Sequence, residues 1–335
     1  MNHSTREHLF KRFLVTGGAG FIGAEMVRQL VSLGKDVVVL DLDRQVERMQ
    51  DELPKGIDVV RGSVLDKSAV REAMSGVDAV IHLAAVLGVK NSEQNKLYTL
   101  DVNVNGTQNV IETAIAHRVQ KLTFASSSEV YGEPFETPVK ETTPTQGKTV
   151  YAVSKLMGEE LVKAYHQKYP QLAYTITRYF NTYGPHQVGQ FVLTKFIRAA
   201  MLDEAMLING DGSQQRSYCY VEDACRGTIA ATMRTCADGE VFNIGNSKQP
   251  WTLLDVAKLV IKLAGKEGKV EPVLDYEFAR GDRELSREIF RRFCNTAKAK
   301  ELLDFEPTIP LEEGVARIIA SGAPIADWRA IRFRS

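Results

Sequence analysis

The sequence has few residues of the kinds that build metal sites and disulfide frameworks. Only 4 of its 335 residues are cysteine and only 6 are histidine. The cysteines form no CxxC pair, and the histidines show no spacing typical of zinc ligands, so we expect no metal site. The opening stretch, MNHSTREHLFKR, is polar and charged, unlike the apolar core of a secretory signal. We therefore expect free thiols and a cytoplasmic location.

An excess of charge and a long apolar run are also lacking. Lys and Arg together number 42, as do Asp and Glu, so the formal net charge is zero. A balanced chain gives no indication of a nucleic-acid or membrane-surface partner. The longest apolar run, residues 79–89, is interrupted by His82 and is too short to span a bilayer. We predict a protein with neither kind of partner.

The first half of the chain alternates short β-branched runs with helical patterns. This alternation predicts βαβ units, and therefore a doubly wound α/β fold with a parallel sheet and helices on both faces. The predicted strands are 13–16, 37–40, 58–61, 79–82, 121–125 and 173–178, and the predicted helices are 21–33, 93–117 and 152–169.

The pattern loosens in the second half. Residues 181–190 indicate a loop, 251–264 an amphipathic helix, and 265–292 a charged, irregular stretch. We predict a first domain over residues 1–180, completed by part of 217–245, and a smaller substrate-binding lobe over 181–335. The predicted short helices of that lobe are 297–303 and 311–319.

A glycine-rich turn joins the first predicted strand to the first helix, in the segment TGGAGFIG. Its glycines have a GxxGxxG spacing, which lets the backbone turn tightly and approach a pyrophosphate at the helix N-terminus. This context favours a dinucleotide site over an ordinary tight turn. The predicted residues of the site are Gly17, Gly20, Phe21, Ile22 and Gly23.

An acidic residue, Asp41, ends the second predicted strand. In a dinucleotide-binding unit, an acid at this position binds the hydroxyls of the adenosine ribose. Its charge would repel a 2′-phosphate, so the sequence favours NAD over NADP. Arg44, close by, keeps NADP open as the alternative.

A tyrosine and a lysine suggest the reactive group. Of the 11 tyrosines, only Tyr151 has a lysine four residues later, at Lys155. In a helix this spacing puts both side chains on one face. A nearby ammonium favours the phenolate, so we expect Tyr151 to act as a base near neutral pH. The serine-rich end of the strand at 121–125 would supply a hydroxyl for the substrate, because ligands bind at the carboxyl ends of strands in such sheets.

Several motifs together resemble one family. TGGAGFIG, HLAA, NVNGT, SSSEVYG and YAVSK occur in the order seen in extended short-chain dehydrogenases. RYFNTYGP, GDGSQQRSYCYVEDACRG, FNIGN and AKELLDFEP resemble the nucleotide-sugar epimerase/dehydratase branch, which includes UDP-glucose 4-epimerases. The resemblance covers roughly residues 12 to 320. It implies a Rossmann domain over residues 1–180, a nucleotide-diphosphate sugar as substrate, and NAD as cofactor.

The resemblance also implies roles for individual residues. Ser127, Tyr151 and Lys155 match the catalytic triad, and Lys155 would also hold the nicotinamide ribose. Further cofactor contacts implied are Leu65, Asp66, Ala84, Ala85 and Asn103. The implied substrate contacts are Ser128, Asn181, Arg216 and Arg292, with Arg291 as the alternative to Arg292.

The family likeness implies that relatives pair through their two long helices, here 93–117 and 152–169, so we expect a homodimer. It also implies the first chemical step, in which Tyr151 takes the proton of the sugar C4 hydroxyl while hydride passes to NAD⁺. The later steps depend on the residue that occupies position 129.

Glu129 bears on which reaction follows. Dehydratases and decarboxylases of the family keep a glutamate at this place, where it works on C5, whereas simple epimerases usually carry a small or hydroxyl residue. Ser128 and His186 both depart from common patterns. We expect a 4-epimerase first, because that reaction needs only the triad, then a 4,6-dehydratase, then a uronate decarboxylase. A non-catalytic NAD-binding protein and a reductase that consumes free NAD(P)H are the alternatives outside this group.

Overall fold

The structure is a computed structural model that describes residues 7–189, 191–277 and 289–322. Seven parallel strands form the central sheet, in the order β3-β2-β1-β4-β5-β6-β11. The strands are β1 (Arg12–Thr16), β2 (Asp36–Asp41), β3 (Asp58–Arg61), β4 (Ala79–His82), β5 (Lys121–Ser127), β6 (Ala173–Tyr179), β7 (Thr182–Tyr183), β8 (Met206–Asn209), β9 (Gln215–Arg216), β10 (Cys219–Tyr220), β11 (Glu240–Ile244), β12 (Trp251–Thr252), β13 (Pro272–Asp275) and β14 (Arg291–Arg292).

Helices cover both faces of the sheet. They are α1 (Phe21–Ser32), α2 (Asp43–Met49), α3 (Lys67–Ala73), α4 (Val89–Gln94), α5 (Lys96–Leu100), α6 (Gly106–Ala116), α7 (Val150–Lys168), α8 (Val192–Met201), α9 (Val221–Met233), α10 (Leu253–Leu263), α11 (Ala297–Leu303) and α12 (Leu311–Ser321).

The core lies in two layers, one on each side of the sheet. In β2, Val37 and Val39 pack into one cluster while Val38 and Leu40 pack into the other. Successive side chains of a strand point to opposite faces, so a run of four apolar residues is buried on both sides. The short β-branched runs thus form strands because each can bury both faces beneath helices. The predicted doubly wound α/β fold is confirmed.

Two predicted helices differ from the structure. The helix expected over 93–117 is divided into α4, α5, a π-helical turn (Asp101–Asn105) and α6. The helix expected from residue 251 begins at Leu253, because Trp251 and Thr252 pair antiparallel with β9. The Thr252 hydroxyl then accepts the main-chain N–H of Asp255 at 3.0 Å and caps the helix, which fixes its start.

The second half contributes to two regions. Strand β11 pairs with β6 as the last strand of the central sheet, and α9 packs on that sheet. Small sheets form the remainder. In one of them β8 pairs with β13, which lies inside the stretch predicted to be irregular. Residues 278–288 of that stretch lie outside the described residues. The division of the chain near residue 180 stays a prediction.

Two further features are absent from the described residues. No helix within 7–189, 191–277 and 289–322 is long and apolar enough to cross a membrane. The same ranges hold no group of three or more His, Cys, Asp or Glu side chains placed to bind a metal ion. All four cysteines are free thiols.

Candidate active site

The glycine-rich turn lies between β1 and α1 and leaves no room for side chains. Gly17 has φ +70°, and a Cβ there would lie 2.8 Å from the Ala84 nitrogen. A Cβ on Gly23 would lie 2.0 Å from the Gly17 carbonyl oxygen. Gly20 precedes the first residue of α1, and no side chain caps that helix end. The open N–H groups at the start of α1 therefore fit a pyrophosphate.

Asp41 stands at the end of β2 beside this turn. Its carboxylate accepts the N–H groups of Ala19, at 2.9 Å, and of Leu42, at 2.8 Å. Burial raises the pKa of Asp41 to about 6, although these hydrogen bonds and the charges of Arg48 and Arg44 oppose the change. Each carboxylate oxygen retains a second lone pair for a ribose hydroxyl. The site fits the adenosine half of a dinucleotide.

This raised pKa predicts a pH dependence for NAD binding. Protonated Asp41 has fewer acceptor sites, so ribose binding should require the ionised form. That form is complete well above pH 6 and is lost as the pH falls through about 6. The Kd for NAD should therefore be about tenfold higher at pH 5 than at pH 7. Titration of the protein with NAD at both pH values checks this, and Asp41→Asn should bind weakly with no such change. An equal Kd at both pH values would contradict it.

Two other predicted cofactor residues carry hydrogen bonds that the sequence did not reveal. Asp66 caps α3, because its Oδ1 accepts the N–H of Ser68 at 2.8 Å and of Ala69 at 3.4 Å. The hydrogen bonds with the hydroxyl and N–H of Ser68 and with the Ala69 N–H lower the Asp66 pKa. Asn103 is buried, and its amide bonds the Val86 main chain at 2.7 and 3.0 Å. Their contacts with a cofactor stay predictions.

The other predicted cofactor residues line the strand ends. Ala84 follows β4 and donates its N–H to the Thr16 hydroxyl at 3.3 Å, and Ala85 comes next, half-buried. Leu65 is half-buried before α3. Phe21 and Ile22 form the first turn of α1 and pack against the core.

His82 is a buried residue to which sequence reasoning gave no role. Its Nδ1 lies 2.6 Å from the Thr16 hydroxyl and its Nε2 lies 3.0 Å from the Thr107 hydroxyl. Burial lowers the His82 pKa to about 3, and the charge of Lys155 adds to the effect. The imidazole is therefore neutral near pH 7 and joins β1, β4 and α6. Its place within HLAA, followed by NVNGT, was the available signal.

Ser127, Tyr151 and Lys155 are brought together at the end of β5. Ser127 is the last residue of that strand, and Tyr151 lies in the first turn of α7. Lys155 follows one turn later, is buried, and donates from Nζ to the Ala125 carbonyl at 2.8 Å. Its Nζ lies 5.9 Å from the centre of the Tyr151 ring. The helix spacing read from the sequence thus places both side chains beside the strand end.

The electrostatics of this group differ from the expectation. Burial and the charge of Glu129 raise the pKa of Tyr151 to about 12, and a hydrogen bond with Ser127 opposes the change only in part. Burial also lowers the Lys155 pKa to about 8, against the charge of Glu159. Among the protein's own residues, burial outweighs the effect of the Lys155 ammonium on the Tyr151 pKa, and the role of Tyr151 as the base stays a prediction. Desolvation has a larger effect on the pKa of each group than the proximity of the two groups, which lie one helical turn apart.

Glu129 lies in the 3₁₀ turn (Ser128–Tyr131) that follows β5. Its Oε1 accepts from Arg292 Nη2 at 2.7 Å. Arg292 is almost fully buried, and its Nε and Nη1 have no hydrogen-bond partner within the described ranges. Arg291 of the same strand is exposed, so Arg292 is the one that faces Glu129. These two buried donors are placed to donate hydrogen bonds to a polar ligand.

The remaining predicted substrate residues lie close by with their own contacts. Arg216 pairs in register with Arg292, and its guanidinium donates to main-chain carbonyls, including Gln215 at 2.9 Å and Phe290 at 3.3 Å. Asn181 has φ +42° and donates from Nδ2 to the Ser217 carbonyl at 2.8 Å. Ser128 is buried in the 3₁₀ turn. Their contacts with substrate stay predictions.

Comparisons with known proteins agree with this site. The profile of the NAD dependent epimerase/dehydratase family matches residues 13–245. A UDP-N-acetyl-alpha-D-glucosaminuronate decarboxylase of Bacillus cytotoxicus is 35% identical over 92% of this chain and 97% of its own. A UDP-glucuronate 4-epimerase of Thermodesulfobacterium geofontis is 33% identical over 92% of this chain and 94% of its own.

A solved structure adds the cofactor. The UDP-glucuronic acid 4-epimerase of Bacillus cereus, in complex with UDP-glucuronic acid and NAD, superposes with a TM-score of 0.82. It is 29% identical and covers 92% of this chain and 99% of its own. A glycine-rich turn, an acid at the end of β2 and a Tyr/Lys pair beside β5 are therefore found in a chain whose relatives use NAD. The chain belongs to the NAD-dependent epimerase/dehydratase family and is an NAD-dependent enzyme.

Proposed function

We propose that this enzyme oxidises C4 of the sugar of a nucleotide-diphosphate sugar and returns the hydride to the other face of the ring, as a 4-epimerase. The observation that carries the proposal is the gathering of Ser127, Tyr151 and Lys155 at the end of β5. That strand end lies at the same edge of the parallel sheet as the glycine-rich turn, with β4 between β5 and β1. A sugar held there can contact the hydroxyls of Ser127 and Tyr151 as well as the cofactor.

The residues divide the work in this proposal. When bound, NAD⁺ would accept the hydride that leaves C4 of the sugar. Tyr151 takes the proton of the C4 hydroxyl, and Ser127 holds that oxygen by a hydrogen bond. The Lys155 ammonium, fixed by the Ala125 carbonyl, stabilises the charge that Tyr151 develops as the proton moves. The same three residues serve the reverse transfer, so no further acid or base is needed.

The substrate class is argued from the two neighbouring arginines. Arg216 and Arg292 are paired residues of β9 and β14, so their guanidinium groups emerge from adjacent strands. Arginine forks suit the oxygens of a diphosphate, and Arg292 still has two donors without a partner among the described residues. The relatives named above act on UDP-sugars. We propose a nucleotide-diphosphate sugar, bound by Arg292 with help from Arg216 and Asn181.

The Glu129–Arg292 ion pair favours the epimerase over C5 chemistry. A dehydratase or decarboxylase of the proposed kind would need the carboxylate of Glu129 to move a proton at C5. In the structure that carboxylate is engaged by a buried guanidinium at 2.7 Å. A carboxylate held in such a pair is a poorer base than a free one. Epimerisation leaves the pair undisturbed.

The second candidate is C5 chemistry, either 4,6-dehydration or decarboxylation of a uronate. It is favoured by one observation, since the Glu129 charge acts directly on Tyr151 and so lies close to the reacting carbons. A third candidate, a reductase, would consume free NAD(P)H in stoichiometric amounts. The epimerase and C5 reactions both regenerate bound NAD.

Proton NMR of the reaction in heavy water tests the proposal. The enzyme is incubated with UDP-glucose, UDP-glucuronate and dTDP-glucose in turn. A C4 epimer without deuterium on carbon would support the epimerase, because the hydride returns internally. Deuterium at C5, with loss of water or carbon dioxide, would replace it by the second candidate.

Substitution of Glu129 separates the same candidates. Glu129→Gln should leave kcat within about fivefold if the enzyme is an epimerase, and should lower it about a hundredfold or more if Glu129 moves a proton. Glu133→Gln is the matched control, because Glu133 lies four residues along and its carboxylate accepts the Phe290 N–H at 3.2 Å. Measured kcat values for both variants with the active substrate decide the outcome.

We also propose a homodimer that forms through α5 and α7. These two helices contact each other and present exposed apolar side chains, with Leu97 84% and Met157 52% exposed. An exposed apolar patch on adjacent helices suits burial against a second copy. The double variant Leu97→Asp/Met157→Glu should run as a monomer in light scattering. Leu33→Asp, at a site 58% exposed that directly follows α1, should not change the mass.

A monomeric wild-type protein would contradict the dimer.

We further propose a cytoplasmic location, which rests on the four free thiols of the structure. Three of them, Cys219, Cys225 and Cys294, are buried, and none of the four forms a disulfide. A reducing compartment keeps such thiols as they are.

A further inference from the structure

A buried ion pair lies behind the candidate active site and has no part in the chemistry described so far. Arg178 of β6 donates from Nε to Glu159 Oε1 at 2.9 Å and from Nη2 to Oε2 at 2.6 Å. Both side chains are almost wholly buried, Glu159 at 1% exposure and Arg178 at 5%. Burial of two charges is costly and does not by itself stabilise a fold. The presence of this pair therefore suggests a role other than stability.

The pair contacts both ends of one short segment. Ser126 donates its hydroxyl to Glu159 Oε1 at 2.5 Å, and Tyr131 accepts from Arg178 Nη1 at 2.8 Å. Between these two contacts lie Ser127 and Glu129, with Ser128. The segment that carries Ser127 and Glu129 is therefore held at both ends by a single ion pair.

The same pair is attached to the helix that carries the other reactive groups. Glu159 lies four residues after Lys155 and eight after Tyr151 on α7, so the three share one face of the helix. Lys155 in turn is tied to the carbonyl of Ala125, the residue before Ser126. Two contacts one helical turn apart thus fix α7 against the end of β5.

A third element closes the network. The Tyr131 hydroxyl donates to Asn243 Oδ1 at 2.7 Å, and Asn243 Nδ2 donates to the Val139 carbonyl at 3.0 Å. Asn243 lies on β11, two strands away from β5 in the sheet. The Tyr131 hydroxyl therefore links the end of the segment to the last strand of the sheet, and it has both a donor and an acceptor partner.

We propose that Glu159 and Arg178, acting through Ser126 and Tyr131, are positioning residues that set Ser127 and Glu129 against Tyr151 and Lys155. The inference rests on the proposed function, in which Ser127, Tyr151 and Lys155 meet one sugar carbon. Hydride and proton transfer depend steeply on position, because a displacement of about 1 Å can cost about a hundredfold in rate. The arginines proposed to bind the substrate lie on other strands, β9 and β14.

The experiment removes the two end contacts one at a time. Ser126→Ala and Tyr131→Phe each delete a hydroxyl and leave the ion pair in place. Thr123→Val is the matched control, since Thr123 is also a buried hydroxyl residue of β5, bonded to Thr232 at 2.8 Å, but lies away from the segment. The readout is the single-turnover reduction of bound NAD⁺ by UDP-glucose, UDP-glucuronate or dTDP-glucose. The KM of the active sugar and the Tm of each variant are also measured.

We expect Ser126→Ala and Tyr131→Phe to reduce the cofactor at least tenfold more slowly, with KM within about twofold of wild type. Thr123→Val should lose a similar amount of Tm and keep its rate. Rates that fall no further than in the control would show that the network only stabilises the fold and would overturn the inference. If one variant does not fold, the other still decides. If none of the three sugars reduced the NAD⁺ bound to the wild-type protein, the proposed function would be overturned, and this inference with it.

Discussion

Replacing Tyr151 by phenylalanine should lower kcat by about a thousandfold or more while the protein keeps its fold and its NAD. The ring stays packed, but the hydroxyl proposed to exchange a proton with the sugar is gone, and general acid–base catalysis contributes up to about 10⁴ in rate. Lys155 remains hydrogen-bonded to the Ala125 carbonyl, so the contact proposed for it with the cofactor should not change. Turnover of the active nucleotide sugar and the NAD content of the purified variant are the measurements.

A second tyrosine of the same helix serves as the control. Tyr165 donates its hydroxyl to Glu112 at 2.8 Å on the side of α7 that faces α6. Tyr165→Phe should keep kcat within about twofold, because that hydroxyl lies away from the end of β5. If Tyr151→Phe retained more than a tenth of wild-type turnover, Tyr151 would not be the proton acceptor. The catalytic role proposed for it would then be withdrawn.

Gly23→Ala should remove bound NAD and destabilise the protein. Its Cβ would lie 2.0 Å from the Gly17 carbonyl oxygen and 2.7 Å from the Gly18 Cα. Both neighbours are backbone atoms, so the glycine-rich turn must move away from the start of α1. Overpacking of this kind costs about 1–3 kcal/mol, and the displaced N–H groups lose the pyrophosphate. The free energy of unfolding and the NAD content of the purified variant check both effects.

Gly34→Ala separates loss of NAD from loss of stability. Gly34 has φ +70°, and an added Cβ there would meet nothing within 4 Å. The left-handed conformation alone should cost about 1 kcal/mol, and the variant should keep its NAD. Loss of NAD from Gly34→Ala as well would mean that any destabilised variant releases the cofactor. The space around Gly23 would then not be the reason.

The fold was predictable from the sequence because its signals are local. Each β-branched run, such as 37–40, is long enough for a strand and too short for a helix, and helical patterns follow several of these runs. The glycine spacing and the acid at Asp41 could be recognised together, since both belong to one βαβ unit. Tyr151 and Lys155 could be paired because helix geometry fixes residues four apart.

Contacts between distant segments were beyond the sequence. Glu129 and Arg292 are separated by 163 residues along the chain, yet they lie 2.7 Å apart. Arg178 meets Glu159 through the pairing of β5 with β6 and the packing of α7 on β5. Local spacing contains no information on such neighbours, because they are set by the order of strands in the sheet.

The sequence by itself determined the α/β class, the phosphate-binding turn, the acid of β2 and the Tyr/Lys pair, because each arises from the geometry of one turn, strand or helix. The tertiary structure decided the charge state of the site. Burial raises the Tyr151 pKa to about 12 and lowers the Lys155 pKa to about 8, and the degree of burial depends on every element packed around them. It also decided which guanidinium faces Glu129, since only sheet pairing buries Arg292 and exposes Arg291.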